Sequence, residues 1–171
     1  MITLARPRLN AALVSNAGAG APSKGRTCHT CWFQHDANPT VRDIVDAMST
    51  AAGMKACLGE QLHVICYTVG GQYRPHFDSY VVDSETGRRC TRKRGQRTHT
   101  AILYLNEDMT GGATVFPRLG LEIPPAAGSV LTFENCARGT VVRDENSLHA
   151  GAPVESGEKW IATLWFRELA A

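Results

Sequence analysis

The chain has 171 residues, 43% of them hydrophobic and 20% charged, with a formal net charge of +2. That length supports one domain that buries roughly 70% of the surface its unfolded form exposes, and the composition excludes wholesale disorder. The small net charge points to neither a nucleic acid nor a membrane partner, and no run approaches the roughly 20 apolar residues that span a bilayer.

Residues 1–9 are too weakly periodic for more than a short helix that lacks its beginning. Ala12 to Val14 reads as a short strand. Asn10, Ser15 and Asn16 interrupt the apolar run there, which argues against a secretory signal and leaves the cytoplasm as the expected location. Asn16 to Gly25 is rich in Gly, Ala and Pro without hydrophobic period and predicts a loop. Arg26 to Phe33 is read as extended.

Val41, Ile44, Val45 and Met48 recur at helical spacing, with Asn38 or Thr40 as cap and Gly53 as stop, so Thr40 to Ala52 predicts an amphipathic helix. Everything beyond it reads as strands and turns. Leu62 to Tyr67 is a strand that Gly70 and Gly71 break before Tyr73 leads on to His76. Ser84 to Gly95 is polar and basic and predicts a mobile loop. Its arginines, with Arg97, read as solvated charge rather than a nucleic-acid surface.

Thr98 to Asn106 alternates as a strand, with Ile102 and Tyr104 on one face and Leu103 and Leu105 on the other. Gly111 and Gly112 make a turn, Ala113 to Phe116 a short strand, Pro117 to Pro125 a loop or edge, and Gly128 to Phe133 a buried strand. A polar loop over 134–146 precedes a short strand at His149, and Lys159 to Phe166 is the last and longest. One helix before many short strands predicts a β-sandwich or squashed barrel.

Six cysteines at positions 28, 31, 57, 66, 90 and 136 share no repeating spacing, so a disulfide framework is not indicated. Cys28 and Cys31 form the only Cys-x-x-Cys. Without a second such pair they read as ordinary reduced thiols rather than a zinc or redox site.

The chemistry is concentrated in His76 and Asp78. Two residues apart on a strand, they point to one side and present an imidazole nitrogen and a carboxylate oxygen together. His149, just before the last strand, is the best third ligand. Two histidines and a carboxylate on one face of an octahedral ion leave open positions, the donor set of non-haem Fe(II) oxygenases.

Several stretches resemble the prolyl 4-hydroxylase branch of the Fe(II)/2-oxoglutarate-dependent dioxygenases. They are Tyr67-x-x-Gly70-x-x-Tyr73-x-x-His76-x-Asp78, Gly95-Gln96-Arg97-Thr98, Tyr104-Leu105-Asn106 and Gly111-Gly112-x-Thr114-x-Phe116-Pro117. Gly128 to Phe133, Ser147-Leu148-His149-Ala150-Gly151-x-Pro153-Val154 and Gly157-Glu158-Lys159-Trp160 complete the set, in the family's order, over roughly residues 25 to 168. Two departures stand out. Relatives have a further helix and strand before Ala5 to Leu9, so the single domain expected over 1–171 is short at its N-terminus. Gly71 stands where relatives often carry Gln.

The resemblance implies a mainly β fold, a double-stranded β-helix (jelly roll) with a supporting N-terminal helix. It implies Fe(II) on His76, Asp78 and His149, with 2-oxoglutarate as co-substrate held by Lys159 and by the hydroxyls of Tyr67, Tyr104 and Thr114. O2 is the oxidant and ascorbate (vitamin C) the reductant. Tyr73, Arg97 and Trp165 fall where relatives line a peptide groove, and loop 79–96 where they carry a segment that folds over the substrate. The implied reaction hydroxylates a prolyl residue in a peptide or protein, with no nucleic acid or membrane involved. Two alternatives remain open: the same chemistry on a free amino acid or small metabolite, and a non-catalytic metal-binding module with Cys28 and Cys31 as a zinc knuckle. The sequence leaves the oligomeric state undetermined.

Overall fold

The last strand organises the molecule. Lys159–Arg167 is buried at every position, and it contributes to two apolar clusters on its two faces. Trp160, Ala162, Leu164 and Phe166 fall in one and Ile161 in the other, as the two-residue strand period requires. In the computed structural model, which describes residues 1–12 and 25–170, every strand pairing is antiparallel.

The strands, in chain order, are β1 (Asn10–Ala11), β2 (His29–Phe33), β3 (Leu62–Tyr67), β4 (Tyr73–His76), β5 (Arg97–Tyr104), β6 (Thr110–Gly111), β7 (Thr114–Phe116), β8 (Leu121–Ile123), β9 (Val130–Glu134), β10 (His149–Gly151), β11 (Val154–Ser156) and β12 (Lys159–Arg167). They form a six-stranded sheet in the order β1-β2-β3-β12-β5-β9, a four-stranded sheet β4-β10-β7-β8, and the pair β11-β6. The protein is thus mainly β. Among the described residues three α-helices accompany the sheets: α1 (Ile2–Ala5), α2 (Pro39–Ala51) and α3 (Glu85–Thr91).

Helix α2 forms where the periodicity places it. The Asn38 side chain caps it by accepting from the Val41 amide at 3.1 Å, and Pro39 stands at its first turn, where a missing N–H costs nothing. Gly53 adopts φ +64° just past its end, the left-handed conformation glycine takes without strain. Val41, Val45 and Met48 are buried against Leu62, Val64, Ala101 and Leu164 of the large sheet, and each such side chain contributes on the order of 1.5–3 kcal/mol by leaving water. The other face of that sheet carries Ile65, Tyr67, Ile102, Tyr104 and Ile161. It looks toward the four-stranded sheet, where Phe116 and Phe133 meet edge to face at 5.1 Å. Leu103 and Leu105 pack on the helix side and Ile102 and Tyr104 on the inner side, as the alternation in β5 predicts.

One expectation changes. Ser84 to Gly95 is not a bare loop, because it contains α3. The helix has no apolar period and buries only Gly87, so hydrophobic patterning cannot reveal it. It is held locally: the Ser84 hydroxyl accepts from the Gly87 amide at 2.9 Å, and the Thr91 hydroxyl donates to the Gly87 carbonyl at 2.9 Å. The first strand among the described residues is Asn10–Ala11, just before the stretch Ala12 to Val14 expected as a strand. Of that stretch only Ala12 is described, and residues 16–24 of the expected Gly-rich loop also lie outside the described residues. Pro117 to Pro125 does contain an edge strand, β8, at the margin of the four-stranded sheet. Among the described residues no helix is long and apolar enough to cross a membrane.

Candidate active site

The four-stranded sheet brings the first two histidines together. Strand β10 runs antiparallel to β4 with His149 directly opposite His76, and their rings lie 4.3 Å apart between centroids. Asp78, two residues beyond His76, turns its carboxylate between them. Oδ1 is 3.6 Å from His76 Nε2 and Oδ2 is 3.7 Å from His149 Nε2. All three ligand atoms lie within 4.8 Å of one another, the only such group of three or more His, Cys, Asp or Glu among the described residues.

The tautomers are set by the backbone. His76 Nδ1 stands 2.9 Å from the Arg74 carbonyl and His149 Nδ1 2.9 Å from the Ser147 carbonyl. A carbonyl only accepts, so each Nδ1 carries the proton and each Nε2 offers a lone pair toward Asp78, the arrangement in which imidazole binds a metal. Burial alone would raise the pKa of Asp78, yet His149 and His76 hold its carboxyl well below the usual carboxylate range. Burial is also the main reason His149 is pushed below the ordinary histidine value. The site therefore favours an ionised carboxylate at Asp78 and a neutral imidazole at His149.

Behind Asp78 lies a buried relay the sequence reading did not identify. Thr100 Oγ1 donates to Asp78 Oδ2 at 2.7 Å, and Asn135 Nδ2 donates to Thr100 at 2.8 Å. Thr100 and Asn135 are both wholly buried. A threonine on the inward face of β5, where its neighbours Ile102 and Tyr104 are large, was the available signal.

On the inner face of the large sheet, β12 presents Lys159, Ile161, Thr163 and Trp165 into the cavity that also reaches His76, Asp78 and His149. Lys159 is 2% exposed. Its Nζ lies 5.6 Å from the Tyr67 ring, its register partner on β3, and 5.7 Å from the Tyr104 ring. It takes part in no ion pair among the described residues, and burial pushes its amine down to about 8. A buried ammonium between two phenol rings with no anion is strongly unfavourable unless a carboxylate arrives. The Tyr104 hydroxyl donates to Thr114 Oγ1 at 2.7 Å, both groups buried. Tyr67 is buried too, which raises its phenol far above the ordinary value.

The three residues expected along a substrate groove also meet here, in different settings. Tyr73 stacks on His76 at 3.5 Å between centroids. Trp165 is 7% exposed and reaches the cavity. Arg97 stacks on Trp165 at 4.0 Å, and its guanidinium makes a two-point pair with Glu60, 2.7 Å to Oε1 and 2.8 Å to Oε2. Glu60, which also accepts from Arg167 at 3.2 Å, was not singled out in the sequence, since nothing local links it to Arg97. Arg26, over the Tyr73 ring at 4.9 Å, and Trp32, stacked on His63 at 3.9 Å, complete the surroundings and were likewise missed. Cys28 and Cys31 sit in different apolar clusters and are both free, which removes the zinc knuckle. His35 is bound to the Glu60 carbonyl.

A mainly β scaffold with two histidines and an aspartate beside a buried, unpaired lysine defines a class: residues 62–167 match the 2OG-Fe(II) oxygenase superfamily, and the chain belongs to it. The family's chemistry uses Fe(II), 2-oxoglutarate and O2. Its relatives include a putative prolyl 4-hydroxylase of Acanthamoeba polyphaga mimivirus, 35% identical over 88% of this chain and 62% of that protein. The human prolyl 4-hydroxylase subunit alpha-1 is 34% identical over 96% of this chain and 31% of its own length. The chain thus spans less than two thirds of these curated relatives. Among solved structures, the viral collagen prolyl hydroxylase of Paramecium Bursaria Chlorella virus-1, in its 2OG complex, superposes with a TM-score of 0.71 at 30% identity, covering 85% of this chain and 81% of that one.

Proposed function

We propose that the protein is an Fe(II)- and 2-oxoglutarate-dependent dioxygenase that hydroxylates prolyl residues in a peptide or protein. The observation that carries this reading is the placement, in one cavity, of the His76, Asp78 and His149 ligand atoms and the buried ammonium of Lys159 with no anion of its own. The likeness to prolyl 4-hydroxylases supports the choice of substrate. We read the two facing sheets as a double-stranded β-helix, and residues 1–171 as one domain.

Both groups fit the residues present. Two Nε2 lone pairs and a carboxylate oxygen suit Fe(II), and a lone buried cation suits a dicarboxylate. When bound, iron with 2-oxoglutarate and O2 places one oxygen atom on the substrate carbon and the other on the co-substrate, which leaves as succinate and CO2.

The chain's own residues bind, orient and exclude water. His76, Asp78 and His149 hold the metal, while Thr100 fixes the carboxylate that lies between the rings. Lys159 takes the distal carboxylate of 2-oxoglutarate, which resolves its own unpaired charge. Thr114 accepts from Tyr104 and so retains its own proton for donation to that carboxylate, and Tyr67 closes the opposite side. Tyr73, stacked on His76, sets the plane of that ring. Trp165 and the Arg97–Glu60 pair wall the approach for a proline-containing chain, with ascorbate as the reductant that restores Fe(II) after uncoupled turnover.

The test is turnover with Fe(II) and 2-oxoglutarate against proline-containing peptides and free proline. Succinate release coupled to a mass increase of one oxygen on a peptide is the expected result. Unchanged turnover in His76→Ala would remove the metal assignment, and oxidation of free proline alone would move the substrate to a small metabolite.

A further inference from the structure

The way out of the active-site cavity is walled by positive charge. Beyond Asp78 a groove of about 270 Å³ runs between Tyr73, Tyr80 and Trp165. Trp32 and Tyr80 also line a second cavity of about 570 Å³, whose far wall is α3 and the turn behind it. The two cavities are therefore continuous in their lining at an aromatic neck.

Two carboxylates border this path, and both are occupied. Asp78 lies between the histidines, and Glu60 serves Arg97 and Arg167. Against them stand Arg26 and Arg97 in the groove, then Arg89, Lys93, Arg94 and Arg167 in the second cavity. Arg26 Nε is buried without a hydrogen-bond partner. Lys93 is exposed and takes part in none of the ion pairs among the described residues. A chain leaving the metal site by this route passes between Trp32 and Tyr80 and meets more cationic side chains than carboxylates, with the exposed Lys93 outside every ion pair among the described residues. Complementary charge on a ligand is what such a surface selects, through encounter rate and through exclusion of like-charged sequences.

We propose that this path reads the flank of the substrate peptide, with aspartate or glutamate a few residues from the target proline seated beside Lys93 and its arginine neighbours. The inference rests on the peptide reading above and deepens it. Lys93 is a specificity-determining residue remote from the reacting atoms.

The test uses the metal-loaded protein with 2-oxoglutarate under nitrogen, so that binding is read without turnover. Fluorescently labelled proline peptides carrying an acidic, a serine or a lysine flank are compared by anisotropy at low and high salt. The acidic flank is expected to bind about tenfold tighter than serine at low salt, with the advantage shrinking as salt rises. Lys93→Glu should cancel that advantage and transfer it to the lysine flank, a gain that a damaged fold would not produce. Equal affinities for acidic and serine flanks, or a preference that Lys93→Glu leaves intact, would overturn the proposal. An oligonucleotide of matched charge that binds more tightly than the acidic peptide overturns it as well. Admitting air and reading one-oxygen mass gain on the same peptides tests the reaction separately: acidic peptides that bind tightly but are never oxidised sink the hydroxylase reading and leave the flank preference standing.

Discussion

Thr100 stands between Asp78 and Asn135 as both donor and acceptor: its hydroxyl proton goes to the carboxylate and its oxygen takes a proton from the amide. The hydroxyl orientation is thereby fixed, and with it the carboxylate oxygen facing His149. Partners of this kind are worth about 10–100-fold in metal affinity. Thr100→Val should weaken metal binding by roughly that factor, read by Co(II) or Fe(II) titration under nitrogen, while Thr100→Ser should retain most of it. Parental affinity in Thr100→Val would show that the relay does not orient Asp78.

Lys159 gives the site a pH dependence with a definite sign. Its amine is pushed by burial from the ordinary 10.5 down to about 8, and only the ammonium pairs with a carboxylate. Affinity for 2-oxoglutarate should be flat below pH 8 and fall about tenfold per unit above it, because each binding event then takes up a proton. Isothermal titration in buffers of different ionisation enthalpy reads that proton directly.

The same shift is a statement about stability. A lysine whose folded value lies below its unfolded one costs stability in full below pH 8, and the cost is relieved as pH rises from there toward 10.5. Lys159→Met should therefore raise the melting temperature at pH 7 without 2-oxoglutarate, by about 2–4 °C, while abolishing co-substrate binding. A lower melting temperature would mean that the ammonium already has a partner.

Glu60 answers two guanidiniums, with side chains 15% and 5% exposed for Arg97 and Arg167. Glu60→Gln leaves both cations without a carboxylate and should cost about 3 kcal/mol in urea unfolding. The Trp165 emission should change as well, since Arg97 lies on its ring. Full stability in Glu60→Gln would show that the two arginines find solvent instead.

Gly87 sets alanine's helix preference against packing. Alanine is favoured over glycine inside a helix by about 1 kcal/mol, yet a Cβ here would run into the Val81 carbonyl. Overpacking of that kind costs about 1–3 kcal/mol, so Gly87→Ala should destabilise and speed hydrogen exchange across α3. A stabilised variant would contradict the close seating of α3 on Val81.

The parts legible in the sequence share one property: the signal is local and periodic. Alternation across β5 places Ile102 and Tyr104 on one face, and the spacing of Val41, Val45 and Met48 gives α2. His76 and Asp78 declare themselves by their two-residue spacing. The missing parts depend on contacts between distant segments or on exceptions to pattern. Thr100, Asn135 and Glu60 are polar residues whose partners lie far along the chain, and α3 is a polar helix held by a serine cap and a glycine. Arg26 and Trp32 gain meaning only when β2 comes to lie beside β3 and Tyr73.

The cross-strand pairing of His149 with His76 has a mechanical meaning as well. An ion gripped by both would join segments from opposite halves of the polypeptide, closing a long loop as a disulfide does, but with a fastener that ligand exchange can undo. Stripping the ion would loosen β4 from β10 first, and refilling it would tighten the molecule in proportion to the metal supply. Such a clasp would couple the durability of the fold to the availability of its iron.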